Sequence, residues 1–169
     1  MKMNLSIQKM PADKGMRLVT SMIKAGYISE RTGIHASNIS KGMTHIMKKG
    51  KPYYYISADV VLLQHAIKDI GKELLDVVVE DNGQVTEQIK ELRKKICIPY
   101  VFQVLMGKSA QWQRMRISAK VNRRTESGKT YTMLNKFTHE DVEQINDAIR
   151  TIALTLCSIE LTEDYEPIE

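Results

Sequence analysis

The stretch Ile28-Ser-Glu-Arg-Thr-Gly-Ile-His-Ala-Ser-Asn-Ile-Ser-Lys-Gly-Met-Thr44 constrains this chain more than any other. Gly33 can turn left-handed without steric penalty, so a short helix ends there. Ile28 and Thr32 lie four apart and face inward from that helix. Ile34 plugs the corner, and Ile39 is the one apolar side chain a second helix drops onto the first. The remainder of the second helix is small and polar: His35, Ala36, Ser37, Asn38, Ser40 and Lys41, with Thr44 beyond. A helix meant only for packing would be oilier. One that enters a major groove needs short polar side chains near its start. The competing reading is two core helices joined by a glycine turn.

The motif resembles the lambda-repressor-like helix-turn-helix family, with Ser29 where alanine is usual and His35 where serine is usual. The resemblance is close over about 20 residues and loose over about 60. It implies that His35, Ala36, Ser37, Asn38, Ser40, Lys41 and Thr44 face double-stranded DNA. Lys48, Lys49 and Lys51, just after them, are candidate phosphate contacts.

Composition is that of a globular protein, 43% hydrophobic and 27% charged, with 6% aromatics, which favours helices over a sandwich or barrel. No apolar run approaches the roughly 18 residues of a membrane span, and residues 1–10 are too often polar for a signal peptide. Cys97 and Cys157 each sit in an apolar pattern and read as buried free thiols. The expected compartment is the reducing cytoplasm. Net charge is +5, but residues 160–169 carry five acids and no base. A basic body with a short acidic tail suits a polyanion binder.

Along the chain, residues 1–13 read as extended or frayed. Asp13 is positioned to cap a helix from about Lys14 to Ala25, with Met16, Val19 and Ile23 as its stripe. The two helices of the motif end near Met47. Gly50 and Pro52 force a turn, and Tyr53-Tyr-Tyr55 suggests a short extended piece. Those tyrosines suit packing better than base stacking. Ser57 is a candidate cap for a helix burying Val60, Leu63, Ile67, Ile70 and Leu74. Val77-Val-Val79 either prolongs that helix or forms a strand. Asp81-Asn-Gly83 is the clearest boundary.

The pattern then begins again. Asp59 to Leu74 aligns with Asp141 to Leu156, 82 residues on, with six identities in sixteen and the same 3-4-3-4 stripe. Thr138-His-Glu-Asp141 forms a capping box before the later helix. Offset by 74, Gly33 falls on Gly107, followed by Lys108, Ser109, Ala110, Gln111, Trp112 and Gln113. A second reading helix is expected there. Its register is open, because Gln113 falls where Ile39 packs and Trp112 fits better. Residues 121–133, around Glu126-Ser-Gly128, are a candidate β-hairpin placed like a wing. The run Gly107-Lys-Ser-Ala-Gln-Trp112, the hairpin, and Phe137-Thr-His-Glu-Asp-Val142 resemble an uncharacterised small domain family of phages of gut bacteria and their hosts. That resemblance implies a phage or mobile-element setting.

Residues 108–136 hold eight bases and one acid. Arg114 and Arg116 on the helix can read guanine. Lys108, Lys120, Arg123, Arg124 and Lys129 can grip phosphates, and Gln111 or Gln113 can read adenine. The alternative is a solvated basic face. Trp112 suits packing more than stacking. The four histidines make no metal spacing with either cysteine. His139-Glu-Asp141 opens a helix, where acids favour the dipole, and no catalytic constellation or cofactor is expected.

The expected fold is therefore all-α, with two tandem helix-turn-helix domains: 1–80, a linker at 81–87, 88–159 with the hairpin, and an acidic tail at 160–169. The expected function is sequence-specific binding of double-stranded DNA by a transcription regulator. The alternative is phage assembly, either terminase-small-subunit-like DNA recognition or a virion or antirepressor protein using the same surfaces on protein partners. Besides double-stranded DNA, a second copy of the chain is a candidate partner, as a dimer or, in the terminase-like reading, a ring.

Overall fold

In the computed structural model, the described residues are 6–45, 47–48, 50–98 and 137–163. They form a mostly helical structure of six helices with two small two-stranded ladders. Strand β1 (Gln8–Pro11) leads into α1 (Ala12–Met22). Pro11, which has no N–H to lose, stands at the N-cap, so the helix starts earlier than the sequence suggests and Asp13 lies inside its first turn. Met16, Val19, Met22 and Ile23 are all buried, but Ile23 is already extended and closes the helix.

Helices α2 (Ala25–Thr32) and α3 (Ala36–Thr44) follow, joined by the glycine turn. Gly33 has φ 74° and sends its N–H back to the Ser29 carbonyl at 2.9 Å. Ile28, Ile34 and Ile39 are all buried, as their spacing predicts. Helix α3 stops at Thr44, sooner than expected, because His45 adopts a left-handed conformation at φ 52°. A short antiparallel hairpin comes next, β2 (Met47–Lys48) with β3 (Lys51–Pro52), turning through Gly50 at φ 78°. The sequence indicated only a turn there.

Helix α4 (Ser57–Leu75) buries Val60, Leu63, Ile67, Ile70 and Leu74, the expected stripe. Its N-cap is Ile56, not Ser57. Residues 77–80 are neither helix nor strand. Val79 is held instead by the Asn146 side-chain amide, which accepts from its N–H at 2.8 Å and donates to its carbonyl at 3.0 Å.

Helix α5 (Val85–Arg93) starts inside the stretch expected to be a linker. After it, Ile96 bridges Ile23, Lys24 N–H donates to the Lys95 carbonyl, and Cys97 N–H donates to the Met22 carbonyl. Helix α6 (His139–Ser158) opens with the capping box of Thr138 and Asp141.

Helices α4 and α6 run antiparallel. Gln64 reaches Ile159 and Leu161, Gly71 meets Ala153 and Leu156, and Val79 meets Asn146. One apolar cluster draws on α1, α2, α3, α4, α5 and α6 together, so the core runs across Asp81–Gly83. His139 Nδ1 also pairs with Asp81 at 2.6 Å.

The first three residues of the expected acidic tail, 160–162, lie in a strand. Strand β4 (Ile159–Thr162) carries Glu160 and pairs in parallel with β1, Gln8 opposite Ile159 and Pro11 opposite Thr162. This ladder departs from an all-α fold. It costs little local information, because each strand is only four residues long and its partner lies at the other end of the chain. The second expected helix-turn-helix (100–119) and its hairpin (121–133) lie outside the described residues.

Candidate nucleic-acid interface

Helix α3 has a buried side and an open side. Ile39 and Gly42 face the core, with Met43 beside them. Ser37, Ser40, Lys41 and Thr44 are spaced three, one and three apart and share the opposite side. Ser37, Ser40 and Thr44 are exposed, and Lys41 is half-buried. Ala36 and Asn38 flank this face and are half-buried too.

His35 is the N-cap and is exposed. Its Nδ1 accepts from the Ser37 N–H at 3.2 Å and lies 2.7 Å from the Ser37 hydroxyl. An accepting Nδ1 places the ring proton on Nε2. The ring therefore both satisfies an orphan amide of the first turn and keeps one N–H donor. The Ser37 hydroxyl, its proton turned toward His35, keeps lone pairs that can accept. Thr44 donates its hydroxyl to the Ser40 carbonyl at 3.0 Å.

The rigidity of α3 comes from residues the motif does not include. The Tyr55 ring lies against Gly42, and its hydroxyl donates to the Ile39 carbonyl. Arg17 Nε on α1 donates to the Met43 carbonyl at 2.9 Å, meeting an orphan acceptor at the C-terminus of α3. His45 lies with Nε2 3.0 Å from the Asp13 carboxylate and Nδ1 2.9 Å from the Tyr53 carbonyl. Each ring nitrogen thus faces an oxygen that can accept a hydrogen bond. Burial pushes the Asp13 carboxyl up. The His45 hydrogen bond, the Lys14 amide and the charges of His45 and Arg17 outweigh it and hold the group below its ordinary value. This contact ties the end of α3 to α1 and to the segment leaving the hairpin. Nothing in the sequence marks His45 for that position, because glycine is the usual left-handed cap.

Of the other expected contacts, Lys48 lies in β2 and Lys51 is exposed in β3. Lys49 lies outside the described residues, as do Lys108, Ser109, Gln111, Gln113, Arg114, Arg116, Lys120, Arg123, Arg124 and Lys129. Charge is segregated along the chain. Residues 1–52 contain ten Lys and Arg against two acids, whereas residues 137–169 contain one Arg against nine acids. The open face of α3 and the hairpin therefore belong to the basic part.

Burial pushes the thiols of Cys97 and Cys157 up, which disfavours a reactive thiolate. Among the described residues no group of three His, Cys, Asp or Glu side chains is placed to hold a metal ion. No helix among them is long and apolar enough to cross a membrane. The chain matches no family of known proteins, no curated protein and no solved structure.

Proposed function

We propose that the protein binds double-stranded DNA in a sequence-dependent manner and acts as a transcription regulator of phage or mobile-element origin. One observation carries the reading. Helix α3 presents Ser37, Ser40, Lys41 and Thr44 on one open face, while its other side is fixed to α1, α2 and Tyr55. A rigid helix with short polar side chains can approach base edges closely. The Ser37 oxygen accepts from an exocyclic amino group of cytosine or adenine. His35 Nε2–H donates to a purine N7 or to a phosphate, and Lys41 reaches a phosphate or a guanine edge. Lys51 and its hairpin neighbours contribute sequence-independent attraction to the backbone. The same chemistry would serve a phage DNA-packaging protein, which would assemble into a ring.

Selection of bound duplexes from a random pool tests the reading. Enrichment of one motif, weakened by changes at Ser37 and Lys41, is the expected result. Failure to enrich any sequence would overturn it. Mass in solution separates a regulator from a ring.

A further inference from the structure

Contacts between α4 and α6 come in reciprocal pairs. The Ser57 hydroxyl donates to Glu163 at 2.6 Å, and His139 pairs with Asp81 at 2.6 Å. His139 lies 82 positions after Ser57, and Glu163 lies 82 after Asp81. The Gln64 amide donates to the Ile159 carbonyl and accepts from the Leu161 N–H. The Asn146 amide accepts from the Val79 N–H and donates to the Val79 carbonyl, so the N–H contact is reciprocal and the carbonyl contact is displaced by two residues. Again Asn146 lies 82 after Gln64, and Leu161 lies 82 after Val79. Near the centre Gly71 lies against α6, where a Cβ would stand 2.9 Å from Cys157 Sγ, 3.1 Å from Leu156 Cβ and 3.2 Å from the carbonyl oxygen of Ala153, its counterpart 82 positions on.

These are the relations of a two-fold axis. If residue i of one half touches j of the other, then j of the first touches i of the second, and a residue on the axis touches itself. Reciprocal positions alone follow from any antiparallel pair, because all its contacts share one sum of residue numbers; the informative part is that counterpart positions carry the same kind of contact. Nothing in simple packing would place an amide clamp at both counterparts and a polar contact at both ends. A second region agrees. Helices α1 and α5 begin 73 positions apart, and their buried residues Ala12 and Met16 correspond to Val85 and Ile89. Ile23 bridges Ile96, its counterpart at the same separation.

We propose that the chain is a covalently fused dimer with an internal pseudo-two-fold axis through Gly71 and Ala153, and that its target is an imperfect inverted repeat bound by a single chain. The target rests on the DNA reading above. Reading proteins with a two-fold axis recognise DNA with the same symmetry, normally with two chains. Here the half ending near Val79 and the half beginning at Val85 supply the two. Counterparts differ in chemistry, Ser57 against His139 and Gln64 against Asn146. The two half-sites are therefore expected to differ in sequence.

The experiment uses the full chain and the duplex enriched from the random pool. Sedimentation should give one chain of 19.3 kDa per duplex, and footprinting should show two protected half-sites in inverted order. Inserting half a helical turn, about 5 bp, between them should weaken binding by on the order of 10²-fold, because the two contacts no longer engage together. One chain protecting a single continuous site, unaffected by the insertion, would overturn the inference and leave the DNA reading standing. Two chains per inverted repeat would also overturn it. A pool from which no duplex is enriched would overturn the DNA reading and the target with it.

Discussion

The Tyr55 ring occupies the space that a side chain on Gly42 would need. A Cβ built there would lie 2.2 Å from Cε1 of the ring, well inside contact distance. Helix α3 can therefore sit this close to the chain leaving the hairpin only with glycine at that position. Gly42→Ala forces the buried ring aside and should destabilise the protein by about 1–3 kcal/mol, the usual range for overpacking. Tyr55→Phe keeps the ring and loses the bond to the Ile39 carbonyl, so it should cost about 1 kcal/mol. Chemical denaturation of the two variants measures both. A Gly42→Ala protein as stable as the wild type would refute the close approach.

Gly33 tests a different cost. Nothing lies within 4 Å of where its Cβ would stand, yet φ is +74°. Gly33→Ala should therefore lose about 1–2 kcal/mol from backbone conformation alone. Gly33→Asn should lose less, since asparagine tolerates the left-handed region. Equal losses for the two variants would point to packing as the cause.

These two glycines show what the sequence makes legible. Gly33 is followed by a well-spaced Ile34 and Ile39, so its turn and the buried side of α3 can be read directly. The α4 stripe is readable for the same reason, because period 3.6 repeats over five residues. Gly42 looks like any helical glycine, and its reason, Tyr55, arrives 13 residues later in an undistinguished tyrosine run. The hairpin at 47–52 has two residues per strand and three lysines around its turn, too little for alternation to show. Asp81-Asn-Gly83 reads as a boundary by composition. Only His139, which pairs with Asp81, and Asn146, which holds Val79 just before it, reveal that this part of the chain is docked.

His35 and Lys41 should separate folding from reading. Removing the cap with His35→Ala should cost about 0.5–2 kcal/mol of stability as well as any DNA contact. Lys41→Ala leaves the cap intact and should alter affinity with stability almost unchanged. Ser37→Ala should shift base preference at one or two positions by roughly 1–3 kcal/mol. Uniform weakening of all sequences by Ser37→Ala would place that residue away from base edges.

Two groups set opposite pH limits. The folded pKa of Asp13 lies below its ordinary value of 3.8. Its contribution is present above that value and is lost as pH falls through the lower, folded one. His139 is the reverse: the Asp81 hydrogen bond first, then the Glu143 charge, raises its pKa above 6.5. Its contribution is present below 6.5 and is lost as pH rises through the folded value. Asp13→Asn should flatten the acid side of the stability curve, and His139→Gln the alkaline side. Urea titrations across pH 2–9 with each variant measure the effect. An unchanged acid limb in Asp13→Asn would remove the His45 contact as its source.

Salt dependence addresses how the basic charge is used. Each neutralised phosphate releases condensed counterion, so log affinity falls by about 0.9 per phosphate for each unit of log salt. Lys51 is exposed on the hairpin beside α3, and Lys51→Ala should reduce the slope by about 1 unit if it holds one phosphate. Arg123 and Arg124 belong to the more basic stretch of the second half, eight bases against one acid over 108–136. Changing both to alanine should lower the slope by about 1–2 units and weaken specific and non-specific DNA alike. Arg114→Ala should instead relax preference at a guanine, since a bidentate base contact carries specificity rather than slope. The measurement is affinity at several salt concentrations for each variant on the same duplex. A slope that falls only with Lys51→Ala would mean that the first half alone touches the backbone. An unchanged slope in every variant would mean that these bases serve a protein partner, and the packaging or assembly reading would then lead.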